Sequence, residues 1–235
     1  MNLSSEIDAA IQSDLSVGNE STLFPLATIQ LAKNRAYAKC AALFRWPETE
    51  DAKVTTTQDD VDYYDYPQTW RPDSIIKLKV DGVDYGDPLT FEDYQYELEN
   101  SFPSGLTKIW ANQWRRYFIY PAPVVAGLEI VVFGQRSVED LTDDDGANPV
   151  TIWSYSMPEC NEAVVKEAVA ILRAKGDDVK VAKSGQTIGN MLSMEAQGIL
   201  ANAWNGIRKS QTKYRKTRSE FVIPDFFGDN STDDI

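Results

Sequence analysis

The chain has 235 residues, and its 36 Asp+Glu against 23 Lys+Arg give a formal net charge of −13. Its composition, 43% hydrophobic and 25% charged, is that of a globular protein and excludes wholesale disorder. No histidine is present, which excludes Ser-His-Asp and Cys-His catalysis, an imidazole general base and histidine-ligated metals.

The two cysteines and the hydropathy pattern set further limits. Cys40 and Cys160 are too few for a four-cysteine zinc site, and we expect reduced, packed thiols rather than a disulfide. The first residues show no basic segment followed by an apolar stretch, and no apolar run is long enough to span a membrane. We therefore expect a soluble protein made in a cytoplasm.

The charge is unevenly distributed along the chain. Residues 1–145 hold 25 acidic and 12 basic residues, whereas residues 146–235 hold 11 of each. The whole acidic excess therefore lies in the first three-fifths of the sequence. This asymmetry predicts regions with distinct electrostatic roles.

The N-terminal part reads as helical. Helical spacing of apolar residues predicts helices over residues 5–17 and 25–46, the second opened by Pro25 and ended by Pro47. Residues 48–65 are acidic and rich in threonine. Because their aspartates repel one another, we expect this segment to be a surface loop.

From about residue 66 the hydrophobic period changes to two. Alternation around Leu78, followed by Asp81-Gly82, predicts a hairpin, and Thr90 is a candidate cap for a short helix over residues 90–99. Three more strands are predicted near 108–111, 116–120 and 128–136. The pattern is that of a small, mainly antiparallel β region.

Helical periodicity returns after residue 146. One helix is predicted from Ser156 and Pro158 to Ala174 and a longer one over residues 187–217, with an apolar stripe along the second. We expect the N- and C-terminal helices to form one bundle, since neither set has enough apolar surface alone. The predicted fold class is α+β, a helical bundle with an inserted β domain and an extended C-terminal arm. The predicted regions are 1–47 and 146–218 for the bundle, 48–65 for an acidic connector, 66–145 for the β domain and 219–235 for the arm.

Patterns that suggest chemistry are weak. The glycine-rich segment 184–189 resembles a phosphate loop but lacks the Gly-Lys-Ser/Thr ending, so an interhelical turn is favoured. Acidic pairs such as Glu97/Glu99 and Asp143/Asp144 are adjacent residues in polar runs, where solvated surface is the default. A cation site at 143–145 lacks the spaced ligands of a calcium loop. We predict no catalytic residue, no cofactor and no metal.

Two C-terminal features indicate partner binding. The first is a basic cluster near the end of the last helix, which suits an acidic partner surface or DNA phosphates and also complements the helix dipole. Its members are Arg208, Lys209, Lys213, Arg215, Lys216 and Arg218. The second is the apolar part of the arm, which lies between that cluster and an acidic tail. It contains Phe221, Val222, Ile223, Pro224, Phe226 and Phe227. The arm either folds back onto its own core or docks on another subunit.

The order of motifs in the β region resembles that of head-to-tail connector proteins, or adaptors, of tailed bacteriophages, particularly short-tailed ones. The resemblance covers residues 25–175. It rests on Tyr66-Pro67, Trp70-Arg71, the segment Val80–Tyr85, Phe91, the segment Tyr117–Pro123, Gly127, a strand at 129–136 and the segment Leu141–Asp144.

The resemblance implies a non-enzymatic structural part of the virion, assembled in the host cytoplasm. It implies a closed ring of about twelve copies, a dodecamer, below the portal protein. Such a ring would extend the channel for double-stranded DNA, without reading its sequence, and would carry the tail nozzle, tube or fibre proteins. It also implies that the arm docks on the portal. The alternatives are another virion part, such as a tail-tube or fibre-attachment protein, a carboxylate-dependent glycan hydrolase, and an acidic DNA mimic.

Overall fold

The computed structural model describes residues 4–15, 24–100, 108–141, 151–175 and 187–220, and for 175 and 211–220 only the backbone. Its elements follow in the order α1 (Ser4–Leu15), α2 (Leu26–Ala42), a 3-10 turn (Pro47–Thr49), β1 (Glu50–Thr56), β2 (Tyr63–Asp65), β3 (Lys77–Val80), β4 (Val83–Asp84), α3 (Phe91–Asn100), β5 (Ile109–Gln113), β6 (Arg116–Tyr120), β7 (Glu129–Gln135), α4 (Cys160–Lys175) and α5 (Ile188–Glu220). The α+β fold class predicted from the sequence is confirmed.

The N- and C-terminal helices share one apolar core, as predicted. Ile7 of α1, Ile29 of α2, Val164 of α4 and Leu200 of α5 are fully buried in it. Helix α2 ends at Ala42 rather than at residue 46, because the N–H of Leu43 already bonds the carbonyl of Cys40 in a tightened last turn. Helices α4 and α5 lie close to their predicted bounds, although α4 begins only at Cys160.

The β region forms two antiparallel sheets with the strand orders β1-β7-β3-β4 and β2-β6-β5. The predicted hairpin is confirmed: Val80 pairs with Val83, and Asp81 and Gly82 between them have φ of 49° and 74°. Both central residues of this turn therefore have positive φ, the conformation that Asp-Gly favours in tight hairpins. A second core of aromatic and aliphatic side chains lies within the β region. Its largest fully buried members are Trp70, Trp110, Tyr117, Ile75, Leu78 and Ile119.

The surface loop predicted for residues 48–65 is wrong. Residues 50–56 form β1, which pairs along its whole length with β7, and residues 63–65 form β2. Between the two strands, only a short segment with an exposed turn at Asp59 and Asp60 remains a loop. Backbone hydrogen bonds to β7 hold a strand here even though six of its seven side chains are exposed.

The short helix α3 is capped as predicted. The Oγ1 atom of Thr90 accepts a hydrogen bond of 3.1 Å from the backbone N–H of Asp93. In the described part of the chain, no helix is both long and apolar enough to cross a membrane.

Candidate partner-binding surfaces

Arg71 fastens the β region to the helical core. Its guanidinium donates to the carbonyl oxygens of Ala41 (3.1 Å) and Phe44 (3.4 Å) at the end of α2, and to Oε1 of Gln135 on β7 (2.6 Å). The last carbonyls of a helix lack intrahelical donors and lie at the negative end of the helix dipole. Arg71 supplies both hydrogen bonds and a positive charge at this end of α2. Burial and the nearby Arg45 lower the pKa of this guanidinium, which nonetheless stays charged in proteins.

Gln135 takes part in the same set of contacts, which we call the joint and which comprises Arg71, Gln135, Thr49 and the carbonyls of Ala41, Phe44 and Trp46. Its Oε1 also accepts from the hydroxyl of Thr49 (2.8 Å), and its amide nitrogen donates to the carbonyl of Trp46 (3.4 Å). The backbone N–H of Arg71 bonds the carbonyl of Gln135 at 3.0 Å. These bonds connect the end of α2, β7 and the segment before β1, so they fix how the two cores are oriented relative to one another.

Two polar clusters, each built around a buried charged side chain, hold the helices together. Lys33 of α2 is fully buried and pairs with Asp8 of α1 at 2.9 Å. On α4, the buried carboxylate of Glu167 accepts from Lys39 of α2 (2.5 Å) and from Ser193 of α5 (2.7 Å). Because removing one partner of a buried charged pair is costly, these clusters hold the four helices in one arrangement.

A groove, which we call the α4/α5 groove, opens beside the start of α4 and has a volume of about 710 Å³. Its floor is apolar, and Glu159 lies at its α4 side. The other lining residues are Met157, Ile199, Asn202, Ala203, Gly206, Ile207 and Ser210. A single carboxylate on an apolar floor offers no acid–base pair for catalysis, and the groove suits an apolar partner segment instead.

An exposed apolar tip, which we call the knob, lies in the loop between β6 and β7 and comprises residues 123–127. Val124 is 84% and Val125 54% exposed. Thr57 holds the loop from below: its hydroxyl donates to the carbonyl of Val125 (2.7 Å), and its carbonyl accepts from the N–H of Gly127 (2.9 Å). The valines are therefore held outward by a fixed backbone and are not part of either core.

The predicted partner-binding residues fall partly within the described chain. Arg208 and Lys209 are exposed on α5. The helix continues to Glu220 through the positions of Lys213, Arg215, Lys216 and Arg218, whose side chains lie outside the described part. Residues 221–235 of the arm also lie outside it. The structure therefore places the basic residues on one helix and leaves the arm a prediction.

The alternative chemical sites receive no support from the described residues. Glu97 and Glu99 are two residues apart on α3, and side chains at that spacing do not face one another. Residues 143–145 and 184–186 lie outside the described part, and Thr187 serves as a helix cap by accepting from the N–H of Asn190 (3.2 Å). Among the described residues, no three His, Cys, Asp or Glu side chains cluster in a way that could hold a metal ion.

The two cysteines are free and buried, as expected. Burial raises the pKa of the Cys40 thiol and of the Cys160 thiol to about 12. Such thiols stay protonated and inert near neutral pH, so neither has the character of a nucleophile or a metal ligand.

Sequence reasoning missed the joint, the groove and the knob. The partners of Arg71 are 27 to 64 residues away in sequence, and no local pattern reports them. The knob did leave a signal: two adjacent valines between prolines and a glycine form an apolar turn, and turns are normally polar.

Comparison with known proteins identifies a family. Residues 1–215 match the family described as SU10 adaptor protein. The match includes both cores and the groove and stops before the arm. No curated protein matches the chain.

Proposed function

The chain belongs to the SU10 adaptor protein family, and from this we propose that it forms a ring at the junction of a phage head and tail. The family match carries the proposal, because it makes the chain a structural phage adaptor protein and a virion component. We further propose that about twelve copies form this ring below the portal and that contacts between unlike faces of identical subunits close it. We also propose a short-tailed phage as its source.

The charge distribution supports a channel that passes DNA. Residues 48–141 carry 18 acidic against 8 basic side chains. A negatively charged channel wall repels phosphate groups, so the genome slides without binding. We propose that this acidic β region contributes to the channel wall.

The C-terminal segment is proposed as the contact with the portal. Helix α5 has 33 residues and is about 50 Å long, whereas α4, against which it packs, has 16 residues and is about 24 Å long. The basic end of α5 therefore extends beyond α4, and the arm follows it directly. We propose that the arm fills apolar pockets on the portal while the basic residues face an acidic surface there.

The joint at Arg71 supports the platform role. A ring that receives tail nozzle, tube or fibre proteins must present its surfaces at a constant angle in every copy. The hydrogen bonds of Arg71 and Gln135 fix that angle between the helical core and the β region. We propose that this constant angle lets every copy present the same platform to the tail proteins.

Electron microscopy of the purified chain mixed with its portal protein tests the proposal. We expect a ring of the chain coaxial with the portal, seated on its tail-facing side. The chain alone should be mainly monomeric, because assembly depends on the portal. Particles in which the chain binds a tail protein and leaves the portal bare would instead identify it as a tail-tube or fibre-attachment component.

A further inference from the structure

Among the residues that the structure describes, the knob is an apolar surface without a partner in its own subunit. Val124 and Val125 project from the end of β7 that is farthest from the joint, and residues 126 and 127 beside them are also exposed. Hydrogen bonds from Thr57 and Asp60 hold this loop on both sides, so it loses little freedom when it binds. A rigid apolar projection is a feature that interfaces use to fill a pocket.

The α4/α5 groove is a matching depression on the same chain. Its floor combines Ile199, Ala203 and Ile207 with Gly206, where an added Cβ would meet no atom within 4 Å. The glycine leaves room for an entering side chain. The groove is open to solvent and is formed by helices that the Glu167 cluster holds together.

The charges at the two surfaces are complementary. Asp59 and Asp60 flank the knob, and the N–H of Asp60 bonds the carbonyl of Pro123 at 3.0 Å. Lys209 lies on the same side of α5 as Asn202 and Gly206, at a spacing of seven and three residues. The orientation follows, because the aspartates would face Lys209 and lie away from Glu159 at the opposite side of the groove.

The knob cannot reach the groove of its own chain. Gln135 lies in the joint, and the opposite end of β7 is six residues away, about 20 Å at the rise of a β-strand. The knob extends from that distant end, and its hydrogen bonds prevent it from folding back. A second copy of the chain is therefore the partner that can bring the two surfaces together.

We propose that the knob of one copy inserts into the α4/α5 groove of the next copy, with Asp59 and Asp60 facing Lys209. Because the two surfaces differ, the contact is head-to-tail and can repeat around a closed ring. The inference rests on the proposed ring and identifies the contact between neighbouring copies that builds it.

Cysteine cross-linking between two single variants tests the contact. Full-length Val125→Cys and Gly206→Cys proteins are mixed and oxidised, alone at high concentration and with the portal. Both positions are open to solvent, so neither change disturbs a core. We expect a disulfide-linked heterodimer in the mixture, and a ladder of oligomers from the variant that carries both changes.

The matched control replaces Val125→Cys with Val54→Cys. Val54 on β1 is 62% exposed, so its cysteine is equally accessible but lies away from the knob. We expect a heterodimer with Val125→Cys and only background yield with this control, because a disulfide needs the two Cα atoms within about 7 Å and only position 125 enters the groove. Equal yields for the two would overturn the proposal.

Charge variants test the orientation. Asp59→Lys should lower the cross-linking rate of the Val125→Cys and Gly206→Cys pair about two- to fivefold, the range of an exposed ion pair, and Lys209→Glu in the groove partner should restore it. Glu139→Lys, an equal charge change at an exposed site outside the knob, should leave the rate unchanged. Lack of rescue would contradict the stated orientation.

The inference and the proposed function fail differently. Rings on the portal without the cross-link would reject the knob-and-groove contact and leave the adaptor role intact. A cross-link without rings would support the knob-and-groove contact and reject the proposed adaptor ring. If Phe226→Cys, and not Val125→Cys, joins to Gly206→Cys, the groove holds the arm and the inference is wrong.

Discussion

Substitution of Gly134 by alanine should destabilise the β region. A Cβ atom at Gly134 would lie 2.5 Å from Cζ3 and 2.8 Å from Cε3 of Trp70, and 3.1 Å from the backbone oxygen of Ser74. Trp70 cannot move aside, because it is fully buried and its indole N–H bonds Asp51 at 3.2 Å. Overpacking of a rigid core costs about 1–3 kcal/mol, and we expect the upper part of that range.

Urea unfolding followed by tryptophan fluorescence and circular dichroism measures this loss. In thermal unfolding, each kcal/mol of lost stability should lower Tm by about 2–4 °C for a chain of this size. Gly198→Ala is the matched control: it lies within α5, its added Cβ meets no atom within 4 Å, and it should stabilise the protein by about 0.5–1 kcal/mol. The same Gly→Ala change is thus expected to lower the free energy of unfolding at position 134 and to raise it at position 198.

A double-mutant cycle identifies the cause. Trp70→Leu removes the ring atoms that the new methyl group would strike, at a cost of its own on the order of 3 kcal/mol. In that background Gly134→Ala should lose most of its cost and keep only the part due to the Ser74 oxygen, which gives a coupling energy close to the single-variant loss. A cost for Gly134→Ala that is the same in both backgrounds would refute the steric explanation.

Three further predictions concern the arm, the channel and the thiols. Deleting residues 219–235 should leave a folded subunit, since the family match ends before the arm. This subunit should no longer bind the portal in a pull-down, and unchanged binding would disprove the proposed docking role of the arm. A structure of the assembled ring should show a net negative channel wall if the acidic residues 48–141 contribute to it as proposed, and a basic wall would contradict the proposal. Cys40 and Cys160 should resist a thiol reagent at pH 8 until the protein unfolds, and rapid modification of the native protein would show that they are accessible. Because their pKa is raised to about 12 in the folded state, their contribution to stability is present below pH 9 and is lost as the pH rises toward 12.

The sequence was a good guide where the pattern is local. The hairpin at Asp81-Gly82, the cap at Thr90 and the strand over residues 116–120 were predicted correctly, because turn chemistry, capping and alternation act over a few residues. The strand at residues 50–56 was missed. Its β-branched run from Val54 to Thr57 was a weak signal, and its acidic neighbours outweighed that signal in our interpretation.

The surfaces on which the proposals rest could not be predicted in the same way. The joint depends on Arg71 reaching the end of α2, and no spacing rule connects a residue after a turn to a carbonyl 30 positions earlier. The stripe along α5 predicted that Ala203 and Ile207 face other helices, and they do pack against the helical core. That the same stripe also lines an open groove depends on where α4 begins.

The sequence alone determined the helical and β regions, the lack of histidine chemistry and the location of the acidic excess, because composition and short-range periodicity are properties of the chain itself. Tertiary structure decided that β1 pairs with β7, that Arg71 fastens the two cores, and that the knob and the groove stay open on opposite parts of the subunit. The physical reason is that burial and pairing are settled between residues distant in sequence. Only the folded structure shows whether an apolar residue lies in the core or on a surface that is available to a partner.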